Sequence, residues 1–194
     1  ATALFICVVA LIASLFTGIN FFHVIRALKD ILFLAFSTAS SEPALPGAMK
    51  RLEELGVPKT IVTFVMPTGY SFNLDGSTLY SSAGILFIAQ LYGIQMPIEQ
   101  QLLVMVTLML STKGIAGVPG AGIIVVAATA AAFNLPTEGV AILLGIDRLL
   151  DMIRTICNVC GNCMATVVVA CWEKELNKAT FNEKYRAFLG GKNR

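Results

Sequence analysis

The first 25 residues contain no Asp, Glu, Lys or Arg, and this run most constrains what the chain can fold into. Its length suffices for one membrane-spanning helix, which needs about 20 apolar residues. Over all 194 residues, hydrophobic side chains make up 56% and charged side chains 13%, whereas soluble domains average roughly 45–50% and about 25%. This composition excludes a soluble enzyme of this size and indicates an integral membrane protein.

The charge and the cysteines exclude two further classes. A net charge of +2 with no basic run does not suit a nucleic-acid binder. Five cysteines in so apolar a chain do not suggest a secreted disulfide scaffold. Because the chain begins inside an apolar run without a charged leader, we expect a piece of a longer protein and not a signal peptide.

The basic residues lie in short zones that predict a topology. Residues 26–30, 50–59 and 173–194 hold two, three and six of the fourteen Lys and Arg residues. The connectors 93–101 and 133–139 carry Glu but neither Lys nor Arg. By the positive-inside rule, the basic zones, including the C-terminal tail, are cytoplasmic and the two connectors are external.

Two stretches are too short to cross the membrane twice. Between residues 26 and 50 the chain would leave the cytoplasm and return within about 20 residues, too few for two spans of about 30 Å. A polar tip at 37–43 divides this stretch, and a Gly-rich tip at 113–122 divides a similar one. Non-helical backbone at membrane depth survives only where protein or a watery cavity surrounds it. Two re-entrant hairpins from opposite faces are therefore predicted, with a site near the midplane as in many transporters.

The apolar segment 60–92 is interrupted by the polar run GYSFNLDGS at 69–77. A broken helix there would free backbone carbonyls, which with Asn and Asp oxygens suit a small hard cation. The alternative is an ordinary loop outside the membrane, against which the even spacing of the apolar arms argues.

The sequence thus predicts an all-α membrane protein with transmembrane helices, two re-entrant helical hairpins from opposite faces and one broken helix. In chain order the expected segments are the truncated end of a preceding transmembrane helix (1–25), a cytoplasmic-side re-entrant hairpin (26–56), a broken transmembrane helix (57–93), an external-side re-entrant hairpin (99–136), a last transmembrane helix (139–172) and a cytoplasmic tail (173–194).

The last predicted helix carries a polar stripe. Its successive members are four, three, four and four residues apart, which places them within an arc of roughly 80° on one helical face. Its members are Asp147, Asp151, Arg154, Asn158 and Asn162. Ionisable groups at membrane depth mark functional sites by default. The alternative is a structural ion-pair network that holds a helix bundle together, but two asparagines extend the stripe beyond that need.

Cys157, Cys160 and Cys163 resemble an iron–sulfur run. The fourth cysteine and its following proline are absent at the usual spacing, and the three sulfurs cannot converge from one continuous helix. Packing of small polarizable side chains between helices is the favoured interpretation. His23, the only histidine, has no second ligand nearby in the sequence and is expected at the membrane interface.

Four motifs resemble the C-terminal half of the dicarboxylate/amino acid:cation symporters, the glutamate transporter family. They are SSEPALP at 40–46, PTGYSFNLDGSTLY at 67–80, KGIAGVPGAG at 113–122 and GIDRLLDMIRTICNVCGN at 145–162. The resemblance implies that two hairpin tips close over the substrate from opposite sides. It also implies a core that moves as an elevator against a homotrimeric scaffold, whose helices these residues do not include.

The resemblance implies a role for individual residues. Arg154 would bind the distal carboxylate of the substrate, and Asp151 would receive its α-ammonium group. The implied substrate-binding residues are Arg154, Asp151, Thr155, Asn158, Ser40, Ser41, Ser77, Val118 and Gly122. The implied cation-binding residues are Gly69, Ser71, Asn73, Asp75, Asn158 and Asn162.

Asp151 separates two branches of the family. Relatives that carry C4-dicarboxylates resemble this chain but have a small neutral residue there, because their substrate has no ammonium group. An acid and a guanidinium three residues apart are also complementary to a zwitterion with one extra carboxylate. L-glutamate or L-aspartate is therefore the expected substrate.

Departures from the family pattern bear on the coupling ion. A sodium-ligand aspartate common in the family is Asn162 here, and a neutral oxygen weakens a sodium site. The second tip has Lys113 and Ile115 where sodium-coupled relatives carry small or hydroxyl residues. These features resemble the bacterial branch coupled to protons, or to protons and sodium. The candidate proton carriers are Asp75, Asp147 and Glu42.

The predicted function is secondary active symport of L-glutamate or L-aspartate with H⁺ and/or Na⁺ by an elevator-type mechanism. The expected protein is not an enzyme, has no cofactor, and contacts lipid and a small-molecule substrate in a bacterial-type inner membrane. The alternatives are a C4-dicarboxylate symporter, a transport-incompetent membrane fragment and a membrane redox protein that uses the cysteine run.

Overall fold

The computed structural model describes residues 2–72, 74–113 and 120–191. Regular structure in these three ranges is entirely helical, which confirms the all-α class. The helices are α1 (Thr2–Thr17), α2 (Phe21–Ala27), α3 (Lys29–Thr38), α4 (Leu45–Glu54), α5 (Lys59–Phe72), α6 (Asp75–Leu91), α7 (Ile98–Ser111), α8 (Ala121–Ala132), α9 (Gly139–Trp172) and α10 (Lys178–Gly191).

Helix α9 is the centre of the fold. Its 34 residues rise about 50 Å, and among the described helices it alone is long and apolar enough to cross a membrane. Helices α1, α3, α5, α6 and α8 all pack against it. The face of α9 that carries the polar stripe is therefore enclosed by other helices.

The uncharged run at the start of the chain is not one continuous helix. Helix α1 ends at Thr17, and Gly18 then takes a left-handed conformation with φ 70°. Asn20 begins α2 because its side-chain oxygen accepts a hydrogen bond from the Phe22 N–H at 3.0 Å. A hydrophobicity count does not register this cap, because it depends on one Asn side chain within an otherwise apolar run.

Helices α3 and α4 are joined by a short connection that contains the first five residues of the motif SSEPALP, whose last two begin α4. Ala39 ends α3 in the left-handed region at φ 51°. Pro46 stands in the first turn of α4, where its missing N–H removes no helical hydrogen bond. Both helices contact α9, so the connection between them lies beside the polar stripe.

The apolar core consists of two clusters. The first cluster contains residues from each of the helices α1 through α5 and from the C-terminal half of α9, including Val159 and Val167. The other joins α6, α7 and α8 with the N-terminal part of α9, including Val140 and Leu143. The buried polar residues of α9 from Asp147 to Asn158 lie between the α9 residues of the two clusters.

Candidate functional site

Asp151 and Arg154 form a buried ion pair on α9. Their exposed fractions are 3% and 5%. Arg154 Nε donates to Asp151 Oδ1 at 3.0 Å, and Arg154 Nη2 donates to the same oxygen. The spacing of three residues on a helix brings the two side chains together. Neither charge is left alone in an apolar environment, where an isolated ion would be very costly.

The start of α8 closes one side of this pair. The Gly120 N–H donates to the second oxygen of Asp151 at 2.8 Å. A Cβ at Gly122 would overlap the Arg154 guanidinium, at 2.7 Å from its Cζ. Only a glycine lets the α8 backbone come so close to the arginine.

Tyr80 on α6 supports the arginine from another side. Its ring centroid lies 4.7 Å from Arg154 Cζ, within the range of a cation–π interaction. The Tyr80 hydroxyl donates to Asp147 Oδ1 at 2.7 Å, and Asp147 is buried. No role for Tyr80 followed from the sequence. A tyrosine in a segment at membrane depth needs an acceptor for its hydroxyl, and this requirement was the signal that could have led to it.

Asn158 links α9 to the first turn of α6. Its amide nitrogen donates to Ser77 Oγ at 3.1 Å, and its amide oxygen accepts from the Gly76 N–H at 2.8 Å. A Cβ at Gly76 would come within 2.9 Å of Cys157 Cβ, so this approach also requires glycine. Thr155 is buried, and its hydroxyl donates to the Asp151 carbonyl at 2.8 Å.

A small cavity lies beside Asn162, one turn further along α9. The Asn162 amide nitrogen donates to the Met66 carbonyl at 2.8 Å, whereas its buried amide oxygen has no hydrogen-bond partner within the described ranges. A Cβ at Gly69 would overlap that amide group. The cavity has a volume of about 20 Å³ and is also lined by Ser41 and Asn158, which is room for one water-sized guest.

The remaining predicted residues lie around this core. Ser40 and Ser41 are buried in the α3–α4 connection, where Ser40 Oγ accepts from the Glu42 N–H at 3.3 Å. Glu42 is exposed and accepts a hydrogen bond from the Tyr70 hydroxyl at 3.1 Å. Ser71 is partly exposed in the last turn of α5.

Asp75 begins α6 and is partly buried. Asn73 and Val118 fall outside the described residues. The structure therefore brings together the α9 stripe, Gly69, Gly122 and the first turn of α6. It leaves Arg148 exposed on α9, outside the enclosed stripe.

The cysteine run is buried and its thiols are free. Cys157, Cys160 and Cys163 are at most 1% exposed, and within the described ranges no group of three or more His, Cys, Asp or Glu residues is arranged to hold a metal ion. His23 stacks on Tyr185 of α10, with ring centroids 4.5 Å apart.

A buried ion pair and an amide oxygen without a partner in the described part of the chain, enclosed by helices with apolar outer faces, define a polar site in an integral membrane protein. A model of the sodium:dicarboxylate symporter family matches residues 1–172. The chain belongs to that family, whose named relatives are symport and transport proteins.

Curated relatives with known names agree with this assignment. The proton/sodium-glutamate symport protein of Geobacillus stearothermophilus is 54% identical over 180 residues, which are 92% of this chain and 42% of that protein. The proton/glutamate-aspartate symporter of Escherichia coli is 48% identical over 190 residues, 98% of this chain and 44% of that protein. The C4-dicarboxylate transport protein of Rhizobium johnstonii is 44% identical over 189 residues, 97% of this chain and 42% of that protein. The chain thus spans less than half the length of these relatives.

Proposed function

We propose that this chain is the substrate- and cation-binding part of a symporter for acidic amino acids, L-glutamate or L-aspartate. The observation that carries the proposal is the Asp151–Arg154 pair. Arg154 Nη1 is buried and has no hydrogen-bond partner among the described residues, although it faces Gly122. A substrate carboxylate would supply the missing acceptor, and the bidentate geometry of a guanidinium suits that group.

The acid beside the arginine supports an amino acid over a plain diacid. Asp151 already accepts two kinds of donor, the Arg154 guanidinium and the Gly120 N–H. An α-ammonium group would replace one of these donors and keep the carboxylate paired. A C4-dicarboxylate would bring a second negative charge toward Asp151, which costs free energy at low dielectric.

The second candidate is a C4-dicarboxylate symporter, which the name of the Rhizobium relative favours. For this candidate Arg154 would bind one substrate carboxylate, and Asp151 would have to keep its present partners throughout transport. The two candidates differ in what Asp151 contributes to binding.

The proposed coupling ions are H⁺ and/or Na⁺, the ions in the names of the glutamate symporters among the relatives. Support for a cation site comes from the cavity beside Asn162. The Asn162 amide oxygen lacks a partner in the described ranges and could accept a cation. Asn158, Gly69 and Ser41 line the same cavity. Oxygen ligands of this kind suit a hard cation. Ser71, Asn73 and Asp75 remain proposed contributors at the break between α5 and α6.

The proposed mechanism is elevator-type alternating access. The α3–α4 and α7–α8 pairs would be the two re-entrant hairpins that cover the site from opposite faces. Support comes from their packing, because α3 and α4 contact α9 beside one apolar cluster and α8 contacts it beside the other. Ser40, Ser41, Ser77, Thr155, Asn158 and the second tip, including Val118, would complete the substrate shell.

We further propose that the full-length protein is a homotrimer in a bacterial-type inner membrane with its C-terminus in the cytoplasm. Exposed apolar side chains on α1, α3 and α5, such as Phe16, Phe33 and Phe64, support contact with lipid or with further helices.

The test is uptake of radiolabelled L-glutamate, L-aspartate and succinate into proteoliposomes that contain the full-length protein. A proton gradient and a sodium gradient are imposed separately. Uptake of either amino acid on at least one gradient is expected. Entry of succinate without either amino acid would establish the second candidate, and absence of all three would exclude symport of these substrates.

A further inference from the structure

The ammonium group of Lys113 lies on the carbonyl end of a broken helix. Lys113 Nζ donates to the Phe72 carbonyl oxygen at 2.5 Å. Phe72 is the last residue of α5, and the last four carbonyls of a helix have no partner within that helix. The aligned peptide dipoles also give this end a partial negative charge. The lysine therefore supplies a positive charge where the backbone presents oxygen atoms.

A carboxylate on the α6 side of the break lies within electrostatic reach of the same ammonium group. Asp75 is the first residue of α6, and Lys113 interacts with it electrostatically. A carbonyl oxygen together with a carboxylate is the donor set that a small hard cation would otherwise use. Here a side-chain cation already bonds to the carbonyl oxygen and lies within electrostatic reach of the carboxylate.

The Lys113 side chain is exposed, whereas the backbone next to it is anchored to α6. Thr112 is fully buried, and its hydroxyl lies 2.9 Å from Thr78 Oγ1 and 2.7 Å from the Leu108 carbonyl. Thr78 stands in the first turn of α6 and bonds to the Leu74 carbonyl at 3.2 Å. The end of α7 is thereby held at the break between α5 and α6.

We propose that the Lys113 ammonium group is a tethered cation that occupies the carbonyl end of α5 and excludes free Na⁺ from this side of the break. Lys113 is then a specificity determinant for the coupling ion. This inference rests on the proposed symport function. It leaves the cavity beside Asn162 as the position where a free cation would bind.

The experiment measures the affinity of the purified full-length protein for L-glutamate with Na⁺ or with choline as the only added cation. Lys113→Thr removes the ammonium group and leaves a hydroxyl in its place. We expect Na⁺ to improve the glutamate affinity of this variant at least about fivefold more than that of the wild type, a coupling typical of two linked sites. Lys113→Arg keeps a cation and should behave as the wild type.

Lys59→Met is the matched control, because Lys59 begins the same helix at its opposite end. Its response to Na⁺ should equal that of the wild type. A second variant, Lys113→Cys, provides the same comparison if the Lys113→Thr variant does not fold. Modification of this cysteine with 2-aminoethyl methanethiosulfonate restores an ammonium group and should remove the added Na⁺ response, whereas the neutral methyl reagent should not.

An unchanged Na⁺ response in both Lys113→Thr and Lys113→Cys, with glutamate still bound, would overturn the tethered-cation role and leave the proposed function intact. An equal gain of Na⁺ response in Lys59→Met would also overturn it. Absence of glutamate binding by the wild type in either salt would overturn the proposed function, and this inference with it.

Discussion

The aromatic ring of Tyr80 lies 4.7 Å from Arg154 Cζ, while the hydroxyl of the same side chain donates to Asp147 at 2.7 Å. One residue of α6 thus contacts both an acid and the arginine of α9. Together with the Asp151–Arg154 pair, this makes a continuous set of contacts from Asp147 to Gly120. The position of the guanidinium therefore depends on α6 and α8 as well as on its own helix.

Tyr80→Phe separates the two contacts, because it keeps the ring and removes the hydroxyl. The buried Asp147 carboxylate then loses its hydrogen bond, which typically costs about 1–3 kcal/mol. We expect a lower thermal unfolding midpoint of the full-length protein and a smaller effect on glutamate affinity. Tyr80→Ala, which also removes the ring, should weaken glutamate binding further. Equal affinities in the two variants would show that the ring does not support Arg154.

Asp151→Ser tests the identity of the substrate. Loss of the carboxylate removes the partner proposed for the α-ammonium group, so binding of L-aspartate should weaken by at least about a hundredfold, as for a broken buried charge pair. Binding of succinate should weaken much less, because succinate has no ammonium group. Competition of both ligands against labelled substrate measures the difference. Equal losses for the two ligands would contradict the ammonium role.

Gly122→Ala tests the close approach of α8 to the arginine. The added Cβ would overlap the guanidinium, so we expect substrate affinity to fall by about tenfold or more, since overpacking typically costs about 1–3 kcal/mol. Gly145→Ala on α9 is the matched control, because its Cβ would meet no atom within 4 Å. That control should leave affinity unchanged in an equilibrium binding assay. A normal substrate affinity of the Gly122→Ala variant would show that the start of α8 can move away from Arg154 without weakening binding.

Asn162→Asp tests the cation cavity. The free amide oxygen would become part of a carboxylate, a stronger ligand for a hard cation. Na⁺ should then raise the thermal unfolding midpoint of the variant more than that of the wild type, because a ligand that binds only the native state stabilises it by mass action. Choline is the control salt. An identical Na⁺ response in the two proteins would argue against a cation at this oxygen.

Several properties followed from the sequence because they depend on local composition and helical periodicity. The low content of charged residues determined the membrane class, and the steps from Asp147 to Asn162 determined that these side chains share one face of a helix. Four motifs in order were enough to indicate the family, which the family model then confirmed. Each of these inferences needs only residue type and spacing along one segment.

Tertiary structure decided which atoms meet across segments. Sequence spacing could not reveal that Asn158 bonds to Gly76, 82 residues away, or that Lys113 reaches the Phe72 carbonyl. Nor could it reveal that the Asn162 amide oxygen has no hydrogen-bond partner among the residues that the structure describes. These contacts depend on how α5 and α6 pack against α9 and how α7 packs against α6, and packing combines many weak, non-local interactions that no single stretch of residues encodes. The sequence by itself determined the type of side chain available, and only the folded arrangement of helices decided its neighbours.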